Sequence, residues 1–373
     1  MSIAEVVFKG SAGARSVSRL IGTGLSSFIS GKKAYSLPYR LQIENGNICN
    51  LRCTMCALNV MKRKKGMLNL EKYKEIFDMI KPAYVNLTGY SEMILNSDIF
   101  EIIKYSKSKG AFTKIDSNAT LTTEEKAKKI IESGLDLISV SVDGATKETY
   151  EKIRVPAKFE IVIDNLKNLV KIRNDTKSKL QIHMAFVSQV GNIHELPAII
   201  KLADEIGLDQ INSAFVTEYD IKEYRKNKLD NVQIVELRRY YNEALELKKN
   251  VKIKVNIDSV GYYIGKIEND EQKNLNDAHC YLPWYSAYIT WDGDVLPCCY
   301  FYDAQLSFGN VFEKPFKEIW DNEKYKQFRE GLAKERKGIC ASCGYRDDFI
   351  QEKFKKITKF IPFAKLISNR ANF

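Results

Sequence analysis

The 373-residue chain has no uninterrupted apolar run near the roughly 18 residues that a membrane span needs. No clean apolar segment precedes a small-residue cleavage site at the N-terminus, so a secretory signal is not expected. Glycine (20) and proline (8) are sparse, which excludes a collagen-like or low-complexity chain. With 45% hydrophobic and 28% charged residues, the composition is that of a globular protein with a large core, and disorder is excluded. No internal repeat of fixed period is visible.

The net charge of +11 is unevenly placed. Residues 1–33 carry +4 and residues 350–373 carry +5, which leaves +2 for everything between. A nucleic-acid enzyme spreads its basic surface over the folded body to follow phosphates, so nucleic acid is not the expected partner. Both tails interleave the charge with large apolar residues, such as Phe354, Ile357, Phe360 and Phe363. Basic amphipathic segments of this kind can lie on an anionic membrane surface or pack on the body with their lysines in water. A cytoplasmic protein, peripheral on the inner face of the membrane, is the expectation.

From about residue 38, β-like apolar runs alternate with amphipathic helical stretches. Strands are expected at Tyr39–Glu44, Tyr84–Leu87, Phe112–Asp116, Leu137–Val142, Leu180–Val187 and Gln210–Phe215. Helices such as Leu70–Ile80, Asp98–Lys109, Thr123–Ser133, Ile161–Ile172, His194–Ile206 and Val232–Lys249 are expected after them. This alternation reads as βα units on a parallel sheet, and six units make an α/β partial (β/α)6 TIM-like barrel. The expected organisation is a basic segment over 1–37, the partial barrel over 38–250, a loop-rich cysteine domain over 251–349 and a basic tail over 350–373.

The eight cysteines are Cys49, Cys53, Cys56, Cys280, Cys298, Cys299, Cys340 and Cys343. Tight groups without a secretory signal point to metal or redox chemistry rather than disulfides. Cys49, Cys53 and Cys56 form C-x3-C-x2-C directly after the first strand, where barrel enzymes place their active-site loops. Three thiolates can hold three irons of a four-iron cluster and leave the fourth open. Structural zinc normally takes four protein ligands and would need a distant fourth.

That motif, in that place, resembles the radical S-adenosylmethionine (SAM) superfamily over roughly residues 39–220. Gly89-Tyr90-Ser91-Glu92-Met93 resembles the family's Gly-Gly-Glu-Pro motif, with Ser91 and Met93 in place of Gly and Pro. Ser117 and Asn118 after the third strand resemble the polar pair near the ribose. Ser141-Val142-Asp143-Gly144 is similar to the Ser-x-Asp-Gly after the fourth strand, and Arg154 follows as a possible partner of the carboxylate. The resemblance implies a [4Fe–4S] cluster on Cys49, Cys53 and Cys56. It also implies SAM contacts from Met55, Gly89, Ser91, Glu92, Ser117, Asn118, Ser141 and Arg154. Reductive cleavage to a 5′-deoxyadenosyl radical would then need a low-potential donor such as ferredoxin or flavodoxin.

Cys280, Gly293 and Cys298 in C-x12-G-x4-C resemble the start of the family's SPASM extension, as do Phe308-Gly309-Asn310 and Ile319-Trp320. No cysteine follows Cys343, so C-x17-C with C-x2-C is similar to the shortened twitch form with one auxiliary [4Fe–4S] cluster. Its ligands would be Cys280, Cys298, Cys340 and Cys343, with Cys299 able to replace Cys298. Four thiolates at this spacing also suit a zinc ribbon. A fully ligated auxiliary cluster would serve as an electron relay. Tyr285, Tyr288, Tyr300 and Tyr302 read as packing, and Trp284, Trp291 and Trp320 as core. His183 falls mid-strand and His194 on a helix, while His279 adjoins a cluster cysteine and could reach substrate.

The 38 residues before Tyr39 are too few for the winged-helix module of leader-binding peptide maturases. With the basic tails, this favours a membrane lipid head group or lipid-linked sugar, for example calditol-type ether-lipid synthesis. The alternatives are a twitch-type dehydrogenase of a soluble polyol or aminosugar, a peptide-modifying maturase, and, from another class, a zinc-binding membrane adaptor.

Overall fold

The computed structural model describes residues 32–216, 231–268, 280, 282–340 and 343. Six βα units run in order. They are β1 Arg40–Ile43 with α1 Leu70–Ile80, β2 Tyr84–Leu87 with α2 Ile99–Ser108, and β3 Phe112–Ser117 with α3 Glu124–Glu132. Then come β4 Leu137–Ser141 with α4 Lys147–Ile153 and α5 Phe159–Asp175, and β5 Gln181–Ser188 with α6 Leu196–Ile206. The sixth unit is β6 Gln210–Phe215 with α7 Asn231–Leu247. A seventh short strand, β7 Lys254–Asn256, and helix α8 Asp258–Glu268 follow. The C-terminal part adds α9 Leu282–Tyr285, β8 Ser286–Ile289, β9 Val295–Leu296, α10 Phe316–Trp320 and α11 Glu323–Lys334.

All nine strands of the described residues form one sheet in the order β7-β6-β5-β4-β3-β2-β1-β8-β9. Each pair from β7 to β8 is parallel, and only β8 and β9 are antiparallel. From β1 to β7 every strand neighbours its successor, so the winding never reverses, as in a barrel and unlike a doubly wound sheet. The six expected strands are present within a residue or two of their expected ends. The sequence reading missed β7 and β8. The three residues of β7 are too few to show a period, and Ser286-Ala287-Tyr288-Ile289 is buried on both faces and so does not alternate. Cysteine-rich loops were expected there, yet β8 extends the barrel sheet beside β1, with Ile43 opposite Ile289.

Side chains on the helix-facing side of the strands are apolar and fully buried, among them Leu41, Ile43, Val85, Ile115, Ile138, Val140 and Ile182. They meet the apolar stripes of the helices, for example Ile76, Phe77 and Ile80 of α1 and Leu166 and Leu169 of α5. Each such side chain contributes about 1.5–3 kcal/mol by leaving water. Trp320 and Trp284 lie in the core as expected, whereas Trp291 is only half-buried.

Two polar junctions hold the loops. At the end of β1, the fully buried Glu44 accepts from Arg63 Nη2 at 2.7 and 3.0 Å, from Tyr288 Oη at 3.1 Å and from Trp291 N at 3.2 Å. It thus ties the loop after β1 to β8 and the segment beyond it. At the start of α4, Glu195 accepts from Ala145 N, Thr146 N, Thr146 Oγ1 and Thr149 Oγ1 at 2.5–3.2 Å. Burial acts to raise the Glu195 pKa, but these donors outweigh it and hold the carboxyl below its ordinary range. The turn they hold is tight, since a Cβ on Gly144 would lie 2.5 Å from Tyr150 N.

The basic residues 1–31 and 350–373, on which the membrane-surface expectation rests, lie outside the described residues. No described helix is long and apolar enough to cross a membrane.

Replacing Glu44 with alanine strands a buried guanidinium and is expected to cost about 3–5 kcal/mol in urea unfolding. An unchanged midpoint would show that Glu44 does not hold the two parts together. Glu195→Gln is expected to cost about 1–2 kcal/mol at pH 7. Because the folded pKa lies below the unfolded one, the wild-type advantage is full above the ordinary value of 4.5 and is lost as pH falls through the folded value. Unfolding followed from pH 7 downward should show the difference between the two proteins shrink only below pH 4.5.

Candidate active site and cluster-binding cavity

The connection from β1 to α1 runs through residues 44–69, far longer than the usual loop of about 4–6 residues, and buried side-chain amides hold it in shape. Asn47 accepts from Gly66 N at 2.8 Å and donates to Lys64 O at 2.8 Å. Asn96 donates to Asn45 Oδ1 and Leu68 O, both at 2.7 Å.

Cys49, Cys53 and Cys56 lie in this loop. Arg52 N donates to Val155 O at 2.6 Å and Thr54 N to Ile153 O at 2.9 Å, so the cysteine segment is pinned on both sides of Arg154. Cys49 Sγ accepts from Leu51 N at 3.4 Å and from Asn118 Nδ2 at 3.8 Å. Burial pushes all three thiols up, Cys53 to about 11, while the Arg154 guanidinium opposes the shift. Loading a cation here therefore releases protons, and Arg154 favours the thiolate form.

The ends of the next strands close around this loop. Glu92, 1% exposed, accepts from Ser117 Oγ at 2.7 Å, Asn118 N at 2.7 Å and Ile94 N at 3.2 Å. Burial raises its pKa against these donors. Glu92 N donates to Ile48 O at 3.1 Å, which joins the end of β2 to the cysteine loop. Gly89 allows this approach, since a Cβ there would lie 2.5 Å from Glu44 Cγ. Ser91 Oγ is buried and has no hydrogen-bond partner among the described residues. Asp143, fully buried after β4, accepts from Arg154 Nε at 2.6 Å and Val187 N at 2.7 Å. Ser141 is half-buried at the end of β4, and Met55 packs into the core.

The other five cysteines line one cavity, together with Arg40 and Gln42 of β1, Tyr288 of β8 and Arg336. Burial pushes Cys298 well above the ordinary thiol value, and Cys299 and Cys340 to about 11. Arg40 opposes the shift at Cys299, and Arg336 does so at Cys340. Cys298 and Cys299 both face the cavity, so position alone does not choose between them. Tyr90, beside Ser91 and Glu92, donates to Cys299 O at 2.8 Å. This bond between the two cysteine regions was not legible in the sequence, where Tyr90 is a non-motif residue. Nor was the Glu44–Arg63 pair, whose members are 19 residues apart. His279 lies outside the described residues, and His194 is half-exposed at the start of α6.

Among the described residues both donor sets consist of soft thiols, the chemistry that suits iron–sulfur clusters. The orphaned Ser91 hydroxyl beside Glu92 is a polar position open to a ligand.

The radical SAM superfamily profile matches residues 43–187, and an iron–sulfur cluster-binding domain profile, SPASM, matches residues 280–344. The AdoMet-dependent heme synthase of Methanosarcina barkeri is 26% identical over 317 residues, covering 80% of this chain and 86% of the relative. The PqqA peptide cyclase of Bradyrhizobium diazoefficiens is 24% identical over 334 residues, covering 85% and 82%. Streptococcus suis SuiB, solved with its precursor peptide SuiA, shares the fold at TM-score 0.63 and 18% identity, covering 89% of this chain and 73% of that one. The chain belongs to the radical SAM superfamily and carries a SPASM domain, and its cofactors are SAM and [4Fe–4S] clusters.

Proposed function

We propose that this enzyme abstracts hydrogen from an unactivated carbon of a substrate held in the barrel. The reading rests on one observation above all: the two thiol sets lie at β1, one in the loop that leaves its C-terminal end, the other in a cavity containing its Arg40 and Gln42. Cys49, Cys53 and Cys56 are the ligands proposed for the SAM-binding cluster, and Cys280, Cys298, Cys340 and Cys343 those for the auxiliary one. When bound, the first supplies the electron that cleaves SAM to methionine and a hydrogen-abstracting 5′-deoxyadenosyl radical, and the second supplies an acceptor for an electron leaving the substrate.

The protein's own residues position and exclude. Glu92 and Ser91 offer an acceptor and a hydroxyl to the amino group of SAM, and Asn118 lies between that site and Cys49. Asp143 fixes Arg154 behind the cysteine loop, where its charge balances thiolates and the carboxylate of SAM. Ser117 and Ser141 border the same space. A ferredoxin or flavodoxin is the proposed reductant.

The lipid head-group expectation rested on tails that lie outside the described residues, and relatives named for heme synthesis and peptide cyclisation favour a substrate of another kind. A peptide-modifying maturase is the second reading, supported by the PqqA relative and by the fold shared with SuiB. Nothing in the comparisons favours a polyol or aminosugar.

Anaerobic reconstitution is expected to load about eight irons per chain. With dithionite and SAM the protein should release 5′-deoxyadenosine. Cys53→Ala should lose about half the iron and all cleavage. A Cys340→Ala/Cys343→Ala variant should lose the other half, keep SAM cleavage and stall substrate turnover. Colourless protein that binds zinc and never cleaves SAM would instead support the adaptor reading. Because Ser91 Oγ has no partner among the described residues, Ser91→Ala should leave the melting temperature unchanged yet weaken SAM binding about fivefold, one hydrogen bond's worth, in equilibrium dialysis.

A further inference from the structure

A closed parallel barrel fills its interior with layers of branched apolar side chains. Here the face of the sheet opposite the helices is polar and wet. The register places Asp116, Ser139, His183, Gln210 and Lys254 in one row across β3 to β7. Lys114 lies one pleat before Asp116 on the same face, with Nζ 2.9 Å from Asp116 Oδ1. Their side chains remain 22% and 29% exposed, so water reaches the interior, while the helix-facing neighbour Ile115 is fully buried.

The row has a definite charge. Lys114 and Asp116 compensate each other. Lys254, exposed on the short edge strand, makes no ion pair among the described residues. His183 is 7% exposed and makes no hydrogen bond to a described residue. Burial, reinforced by Lys114 and Lys254, lowers its pKa to about 4. At neutral pH it is an uncharged ring with one N–H to donate and one nitrogen to accept, flanked by two ammonium groups.

An anion is what this arrangement lacks. A neutral sugar would leave the excess positive charge uncompensated. A phosphate dianion would overcompensate it and finds no free backbone N–H groups, because the strand interior uses them in the ladder, while the Arg40 guanidinium on the same face lies at the cysteine cavity and acts on Cys299. A single carboxylate matches the charge and the donors. We propose that the barrel interior binds a carboxylate of the substrate, with Lys254 supplying the uncompensated charge and Lys114 and His183 further N–H donors. The proposal rests on the reading of the barrel as the substrate chamber and specifies the class of substrate.

The test uses the full-length, reconstituted, SAM-loaded enzyme and radiolabelled glutarate in equilibrium dialysis. Glutarate is expected to bind in the millimolar range, with glutaramide and inorganic phosphate failing to displace it. Lys254→Gln and His183→Gln should each weaken binding about tenfold, the loss of one charge-assisted contact. A Lys128→Gln change on the outer surface should not alter binding. Iron content and melting temperature show that each variant is folded, and Lys254, on an exposed edge, is the variant least exposed to misfolding. The tripeptide Ac-Ala-Glu-Ala-NH2 and its glutamine counterpart separate the sources. Displacement by the glutamate peptide alone identifies a peptide carboxylate, and displacement by neither identifies a small free acid. Equal displacement by glutaramide or phosphate, no measurable glutarate binding, or full binding by Lys254→Gln overturns the proposal. Wild-type enzyme that binds glutarate but forms no 5′-deoxyadenosine would instead overturn the radical reaction and leave the carboxylate site standing.

Discussion

The buried contact between Glu44 and Arg63 is the constraint on which the rest of the arrangement depends. Glu44 closes β1, Arg63 belongs to the cysteine loop, and the same carboxylate receives Tyr288 of β8 and the backbone of Trp291. Its stem also occupies the space that a side chain at Gly89 would need. One carboxylate therefore registers the loop that carries three cysteines, the motif at the end of β2 and the strand that leads into the auxiliary region. A buried pair of this kind gains little net stability over an apolar alternative, but it strongly penalises any arrangement that separates its members. Its value here lies in specifying position.

The SPASM region is consequently not a separate appendage. β8 adds to the barrel sheet at β1, and the cavity lined by five cysteines shares Arg40 and Gln42 with the barrel interior. Tyr90 spans the same boundary from the other direction, through its bond to Cys299 O. Electron exchange between two sites falls steeply with distance. β1 is four residues long, about 13 Å at the usual rise, so an architecture that places both sites against it keeps them close without a mobile carrier.

Much of the site was readable before folding. Three cysteines within eight residues must lie together in any compact structure, and polar residues after successive apolar runs must collect at one end of a parallel sheet. The four C-terminal cysteines were assignable as a set only by resemblance, and the structure adds that Cys299 faces the same cavity. His183, Lys114 and Lys254 carried no signal. A histidine and two lysines spread over 141 positions look like ordinary strand residues until the register aligns them.

The six βα units and the three-thiol loop follow from the order of residues alone, because helix and strand periodicity and short-range ligand spacing are local properties. That order does not reveal that Glu44 meets Arg63, Tyr288 and Gly89, that β8 seats beside β1, or that one row of the barrel gathers a net positive charge. Those features arise from contacts between residues distant along the chain, such as Glu44 and Tyr288, 244 positions apart, and only the closing of the sheet brings such residues within hydrogen-bond range.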